Sequence, residues 1–335
     1  MNFSSFKVGT TIETIGFCIK EIKCRAILLN SFSLYFSYMK LVHFLLGLLR
    51  LTRPAEWSKS FGNMAIAAIT ASFVFPAAVK LDLFLFLFGF AAVALLWGGL
   101  YALNDYTDRM ADALHPVKKR RPIASGAIPP AAGLVFSIAL IASGFLIAFY
   151  LNAGFLFLVC IAVMAVNQLM YTMPPFSLKK KPVVDLISGS LVNPIFRFYA
   201  GWVLFVPAFN APLLILLFIL GIQFGGFGLY RMSSKGHEQR LGLRSSVVLF
   251  GEKKLKWTAY FFLLVGALSY IAACFTILPL RYLLLGIAML LPAPLYKTAL
   301  KRPQEIDMPK MYRVIYLHYL GFIIGFILIY FFPIF

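Results

Sequence analysis

The chain has 335 residues, of which 61% are apolar, against about 45–50% in an ordinary soluble domain, and its mean hydropathy is +0.87. These values exclude a soluble globular protein and indicate an all-α, polytopic membrane protein. Lys and Arg number 31 against 12 Asp and Glu, a formal net charge of +19; such a balance would suit nucleic acid, but the placement of the charges points elsewhere.

Residues 1–44 form a weakly patterned N-terminal extension, with scattered Lys and no compact apolar core followed by a small-residue cleavage site. Met39 opens a natural start, KLVHFLLGLLRLTRPAEW, and the first 38 residues read as dispensable. Residues 45–335 form one membrane domain. Leu41 to Leu51 reads as an interfacial amphipathic helix. Arg53-Pro54-Ala55-Glu56-Trp57 leads into the first span, with Pro54 near a helix start and Trp57 at the interface.

A span needs about 20 apolar residues. Nine are expected: 60–79, 83–103, 131–150, 153–171, 184–205, 211–230, 257–277, 282–298 and 313–332. Arg109, Lys118, Lys119, Arg120 and Arg121 lie between the second and third, and Lys179, Lys180 and Lys181 between the fourth and fifth. Seven more basic residues lie between the sixth and seventh spans, and five between the eighth and ninth. The opposite connections hold only Lys80 and Arg281. The positive-inside rule then places the N-terminus and the four basic connections in the cytoplasm, as for a bacterial-type inner-membrane protein. Topology and phosphate binding thus use up the net charge, and nucleic acid has no place as a partner.

Three of the few acidic residues, Asp105, Asp108 and Asp112, fall together after the second apolar run. On a helix Asn104, Asp108 and Asp112 are spaced i, i+4, i+8, and Asp105 lies beside them. Like charges so placed repel one another unless a cation joins them, and hard oxygen ligands that share a site with phosphate suit Mg²⁺. The basic run Lys118-Lys-Arg-Arg121 follows directly. Acidic groups at the end of a membrane span are costly and mark function. The expected chemistry is a magnesium–diphosphate site, with Asn104, Asp108 and Asp112 as metal ligands and Lys118 and Arg121 on the phosphates.

Further candidates follow along the chain. Tyr171 and Lys179 flank a Pro-stiffened turn. Asp185 is either a helix N-cap or a site residue. Arg197, one turn after Asn193, is a cation inside an apolar helix and is expected to face the central cavity. Between the sixth and seventh spans, Glu238 is the only acid before Glu252. His237 reads as a surface residue, and Arg240 and Arg244 as phosphate ligands or topogenic charge. The four cysteines, Cys18, Cys24, Cys160 and Cys274, show no ligand spacing and read as apolar packing.

Asn104-Asp-x-x-Asp108-x-x-x-Asp112 with Arg121-Pro-Ile-Ala-Ser-Gly126 resembles the first aspartate signature of the UbiA superfamily of intramembrane prenyltransferases. Tyr171 to Lys179 is similar to that family's Tyr-Ser-x-Pro-Pro-x-x-Leu-Lys stretch, Gly242 to Gly251 to its segment after the second aspartate motif, and Arg53-Pro54 with Trp57 to its opening motif. The resemblance implies nine helices around a cavity and Mg²⁺-dependent transfer of a prenyl group from a prenyl diphosphate to a small-molecule or lipid acceptor. It also implies site roles for Arg53, Tyr171, Lys179, Asp185, Arg197, Glu238 and Arg244 beside the aspartates. One departure stands out: where the family carries two further aspartates, this chain has Ser234 and Glu238. His115-Pro-x-Lys118-x-x-Arg121 is also similar to the branch that transfers phosphoribose to a polyprenyl phosphate, an alternative activity. A transporter is the alternative of another class, opposed by the lack of paired interrupted helices.

Overall fold

The computed structural model describes residues 40–332 except Pro116, Asn152, Ser233, Ser234, Leu241 and 289–307. No strand occurs among the described residues. Helix α1 covers residues 40–51. It is followed by α2 (Trp57–Val74), α3 (Leu83–Ala113), α4 (Pro130–Tyr150) and α5 (Phe155–Thr172). Helix α6 is a continuous rod of three pieces, Val184–Ile187, the π-helical Ser188–Val192 and Asn193–Val203. Then come α7 (Leu213–Met232), α8 (Lys235–Arg240), α9 (Ser246–Thr276), α10 (Tyr282–Ala288) and α11 (Met308–Phe331).

Four of these, α3, α4, α5 and α9, are individually long and apolar enough to cross a membrane, and Leu213–Gly228 and Leu317–Phe331 are shorter apolar helices. The chain is therefore an all-helical integral membrane protein. Helices α2 and α6 are missing from that group for a structural reason. They line the interior, so they carry the polar residues: Ser60, Asn63, Thr70 and Ser72 on α2, and Asp185, Ser188, Ser190, Asn193 and Arg197 on α6, all buried. The outward faces are instead apolar, with Phe84, Phe88, Val135, Phe149, Phe155, Phe261 and Leu264 exposed, as a surface solvated by lipid requires. The eighth expected span lies largely outside the described residues; its first part is α10.

The helices pack as α3 on α4, α7 on α9, and α2 on α6, with α5 on α6 and α11 on α2. Small residues let backbones meet. A Cβ on Gly201 of α6 would stand 2.4 Å from the Met64 backbone of α2, and one on Gly221 of α7 would stand 2.5 Å from Cα of Gly266 in α9. Lipid tails give helices no hydrophobic reason to associate, so such close contact supplies the dispersion energy that holds them together. The main core gathers Leu96, Trp97, Phe157, Phe198, Trp202, Tyr282 and Phe326. Cys160 and Cys274 are buried free thiols within it.

Helix α3 is the element that positions the site. Its 31 residues span about 46 Å at 1.5 Å per residue, longer than the roughly 30 Å hydrocarbon layer. The expected second span ended at 103, but the helix continues to Ala113 and projects the acidic residues past the apolar run. Helix α1 lies across this end. Its Leu51 packs with Ala102, Ile123 and Ile128, while Leu41, Leu45, Leu46 and Leu49 remain exposed.

Candidate active site

At 100° per residue, Asn104 and Asp108 project 40° apart, and Asp112 and Asp105 only about 20° apart, on the neighbouring sector of α3. The structure follows that division. Asn104 and Asp108 face α5 and the turn after it. The Thr172 hydroxyl donates to Asn104 Oδ1 at 3.3 Å, and Lys179 Nζ donates to Asp108 Oδ1 at 2.6 Å. Asp105 and Asp112 face the basic segments. Arg121 Nη1 lies 2.6 Å from Asp112 Oδ2 and 3.1 Å from Asp105 Oδ1, and Arg53 also donates to Asp105 Oδ1. The expected single stripe is thus two short rows, each already lined with cations.

Local backbone explains how the cations reach it. Among the described residues, Arg53 (φ 50°), Ser177 (φ 41°) and Val183 (φ 68°) are the non-glycine residues with positive φ. Such conformations cost about 1–3 kcal/mol each and persist where surrounding structure imposes them. Each lies in a segment entering the site. The Arg53 guanidinium also sits 5.0 Å from the Tyr101 ring centroid. After α3, the backbone N–H groups of Val117 and Lys118 both donate to His115 Nδ1, at 3.1 and 3.2 Å, which folds the basic run back over the aspartates. Burial, and then repulsion from Arg121, lowers the Lys118 pKa from the ordinary lysine value.

A polar chain links this pole to α6. Gln168 donates to Thr172 at 3.2 Å, Asn193 to Gln168 at 3.4 Å, and Asn167 to Asn193 at 2.8 Å. Pro194 has no N–H to give a helical bond, and the π-helical turn lies immediately before Asn193. Ser188, on that turn, offers its carbonyl to Asn167 at 3.0 Å. Arg197, one turn further on, is 5% exposed.

The second acidic cluster is closed. Asp185 is fully buried. Its Oδ2 accepts from Arg231 and from the Ser246 backbone N–H, both at 3.1 Å, and its Oδ1 accepts from the Ser246 hydroxyl. Glu238 takes two bonds from Arg231, at 2.8 and 2.9 Å, and one from the Ser245 hydroxyl. Arg231 therefore stands between the two acids as their shared counter-charge. Arg244 is exposed at the start of α9, and Tyr171 is half-buried at the end of α5. Ser234 and Pro116 lie outside the described residues.

Several groups escaped the sequence reading: Thr172, Gln168 and Asn167 of the polar chain, Ser245 and Ser246, and Arg231, whose charge reads as topogenic. The available signal was the run Asn167-Gln168 inside an apolar helix, since intramembrane polar residues rarely lack a role.

For a divalent cation, the chemistry of the first pole is suitable. Asp108 and Asp112 each use one carboxylate oxygen in an ion pair, and the other oxygen has no partner among the described residues. Asn104 adds an amide oxygen. No group of three His, Cys, Asp or Glu side chains able to hold a metal occurs among the described residues. A magnesium ion here would draw its remaining ligands from water and phosphate, as that ion commonly does.

These features define an integral membrane helical bundle with one polar pole lined by acidic and basic side chains. The chain belongs to the UbiA prenyltransferase family, whose model it matches over residues 64–331. It is 34% identical over 154 residues to digeranylgeranylglyceryl phosphate synthase of Methanothrix thermoacetophila, covering 46% of this chain and 53% of that one. It is 30% identical over 179 residues to decaprenyl-phosphate phosphoribosyltransferase of Mycolicibacterium smegmatis, covering 49% and 53%. The chain thus spans about half the length of the curated relatives it matches. A UbiA homolog from Archaeoglobus fulgidus bound to GPP and Mg²⁺ superposes with a TM-score of 0.65 at 17% identity, over 83% of this chain and 98% of that one. That likeness establishes a shared fold.

Proposed function

We propose that the protein transfers a prenyl group from a prenyl diphosphate to a lipid-soluble acceptor, releasing diphosphate, with Mg²⁺ as cofactor. The carrying observation is the first pole: Asn104 and Asp108 beside Lys179, and Asp105 and Asp112 beside Arg53 and Arg121, at one end of the bundle. The family membership and the neighbours bound to GPP, DMAPP and Mg²⁺ support it.

Breaking the bond between the allylic carbon and diphosphate builds negative charge on the leaving group, and fixed positive charge aimed there lowers the barrier. Asn104, Asp108 and Asp112 would hold a magnesium ion, which would neutralise part of the diphosphate charge. Lys179, Lys118 and Arg121 donate charge-assisted hydrogen bonds to the phosphate oxygens. Asp105 positions Arg53 and Arg121 for this. Tyr171 flanks the same turn as Lys179, and Arg244 guides the anion in from the surface. Asp185 and Glu238 act through Arg231, so this second cluster holds a guanidinium where a second metal would sit. The isoprenoid tail lies among the nine membrane helices, and the four basic connections face the cytoplasm of a bacterial-type inner membrane.

The second reading is transfer of phosphoribose to a polyprenyl phosphate, favoured by the His115 to Gly126 segment and by the phosphoribosyltransferase relative. Purified protein with Mg²⁺ separates the two. Diphosphate released from geranyl diphosphate, with a prenylated lipid found by mass spectrometry, supports the first. Release from phosphoribosyl diphosphate alone replaces it with the second.

A further inference from the structure

The polar chain that crosses from α6 through α5 to the acidic end of α3 has a direction, and its far end dictates it. The Ser188 carbonyl, on the π-helical turn, can only accept. Asn167 therefore turns its NH₂ group toward that carbonyl, at 3.0 Å, and takes the Ser188 hydroxyl on its own oxygen at 2.9 Å. The Asn167 NH₂ also donates to Asn193 Oδ1 at 2.8 Å. With its oxygen so engaged, Asn193 donates from Nδ2 to Gln168 Oε1 at 3.4 Å. Gln168 then donates from Nε2 to the Thr172 hydroxyl oxygen at 3.2 Å. The single hydroxyl proton of Thr172 is left for Asn104, whose Oδ1 accepts it at 3.3 Å.

Every link runs head to tail. Reversing any amide along the way would set two donors or two acceptors face to face. Gln168, Thr172 and Asn193 are 8%, 4% and 4% exposed, and a polar group left unmatched in such a place costs about 1–3 kcal/mol. Bonds ordered in one sense also polarise one another and hold the set as a unit.

The end of the chain decides which atom Asn104 presents. The two arms of its amide are alike in shape and opposite in chemistry: the oxygen can ligate a cation, and the NH₂ repels one. Asn104 is only partly buried, so shape alone does not choose between them. The Thr172 proton does. An amide oxygen has two lone pairs; Thr172 takes one, and the other is left for an ion beside Asp108. We infer that Thr172 and Gln168 are positioning residues, which fix the Asn104 amide with its oxygen toward the magnesium site. The inference rests on the proposed reading of Asn104 as a metal ligand.

The test is Mn²⁺ titrated into the whole chain in nanodiscs, with a non-cleavable thio analogue of geranyl diphosphate present. Bound ion is read from loss of the free-ion EPR signal, against nanodiscs without protein. Thr172→Val keeps the side-chain shape and removes the proton; Gln168→Met keeps the length and removes the amide. Each should weaken Mn²⁺ about ten- to hundredfold, the range for partners that orient metal ligands, while Thr172→Ser should stay close to wild type. In diphosphate release, the Mg²⁺ concentration giving half the maximal rate should rise by the same factor, and excess Mg²⁺ should recover most of the turnover, a split that lost packing would not produce. The two variants break different links, so if one fails to fold the other still decides. Asn104→Ala is measured in parallel. If it weakens Mn²⁺ binding while the folded Thr172→Val or Gln168→Met protein binds as wild type, or if Thr172→Ser loses as much as Thr172→Val, the inference is overturned. If Asn104→Ala itself binds Mn²⁺ as wild type does, the reading of Asn104 as a ligand fails instead.

Discussion

Asp108→Asn separates the chemical role of the acidic row from its structural one. The substitution keeps shape and removes one charge. Structurally it loses an ion pair of 2.6 Å to Lys179, between side chains 26% and 18% exposed. A hydrogen bond involving a charged group contributes about 1.5–3 kcal/mol, and partial exposure places this one toward the lower end. That loss is small beside the 5–15 kcal/mol, roughly, that holds a domain folded, so the variant should insert and purify normally. Catalytically the carboxylate is asked to hold the cation on the leaving diphosphate. Removing one preorganised electrostatic group at such a place costs about 2.7–4 kcal/mol, or 10²–10³ in rate. The assay is single-turnover release of diphosphate from geranyl diphosphate at saturating Mg²⁺, on protein whose thermal unfolding is checked in parallel. The expected result is a rate at least about a hundredfold lower with nearly unchanged unfolding. Turnover within a few-fold of wild type would exclude Asp108 as a metal ligand and refute the reasoning.

Asp112→Asn should behave alike in turnover, with little loss of stability, because burial raises the Asp112 carboxyl pKa and offsets its pair with Arg121, which keeps Asp105 at 3.1 Å; thermal unfolding checks this. Glu238→Gln should reduce turnover only in part, whereas Arg231→Gln, which strands the buried Asp185, should cost about 3–5 kcal/mol of stability, seen as a lower unfolding midpoint. The burial-lowered Lys118 pKa predicts that diphosphate affinity is full below that pKa and falls as pH rises through it, at a lower pH than an ordinary lysine would give. Lys118→Arg should move the fall to higher pH, and titration of geranyl diphosphate binding measures both. Gly221→Leu would drive a side chain into the Gly266 backbone and should separate α7 from α9, visible as loss of folded protein on size-exclusion chromatography.

The helices were legible because apolar runs and basic connections are both written along the chain. Helix α3 outran its expected end because hydropathy stops at Leu103 while helix-forming residues continue. Residue types at the acidic pole were equally plain in sequence. Their division into two rows follows from helical angle, yet which cations meet each row depends on segments far apart: Arg53 comes from 52 residues before Asp105, and Lys179 from 71 after Asp108. The second cluster was harder still. Arg231 sits in the last turn of α7, beside a basic stretch whose charge already has a topological explanation, and only the fold brings it between Asp185 and Glu238, 46 and 7 residues away. Arg197 stood out as a charge in an apolar helix; its indole partner, Trp97, 3.7 Å from the guanidinium, could not be named, because no periodicity relates α3 to α6.

Diffraction from crystals grown with Mn²⁺ and a non-cleavable thio analogue of geranyl diphosphate would bear most directly on the central claim. An anomalous peak within coordination distance of Asp108 and Asp112, touching the diphosphate, is the expected result. A peak between Asp185 and Glu238 with Arg231 displaced, and none at α3, would contradict it.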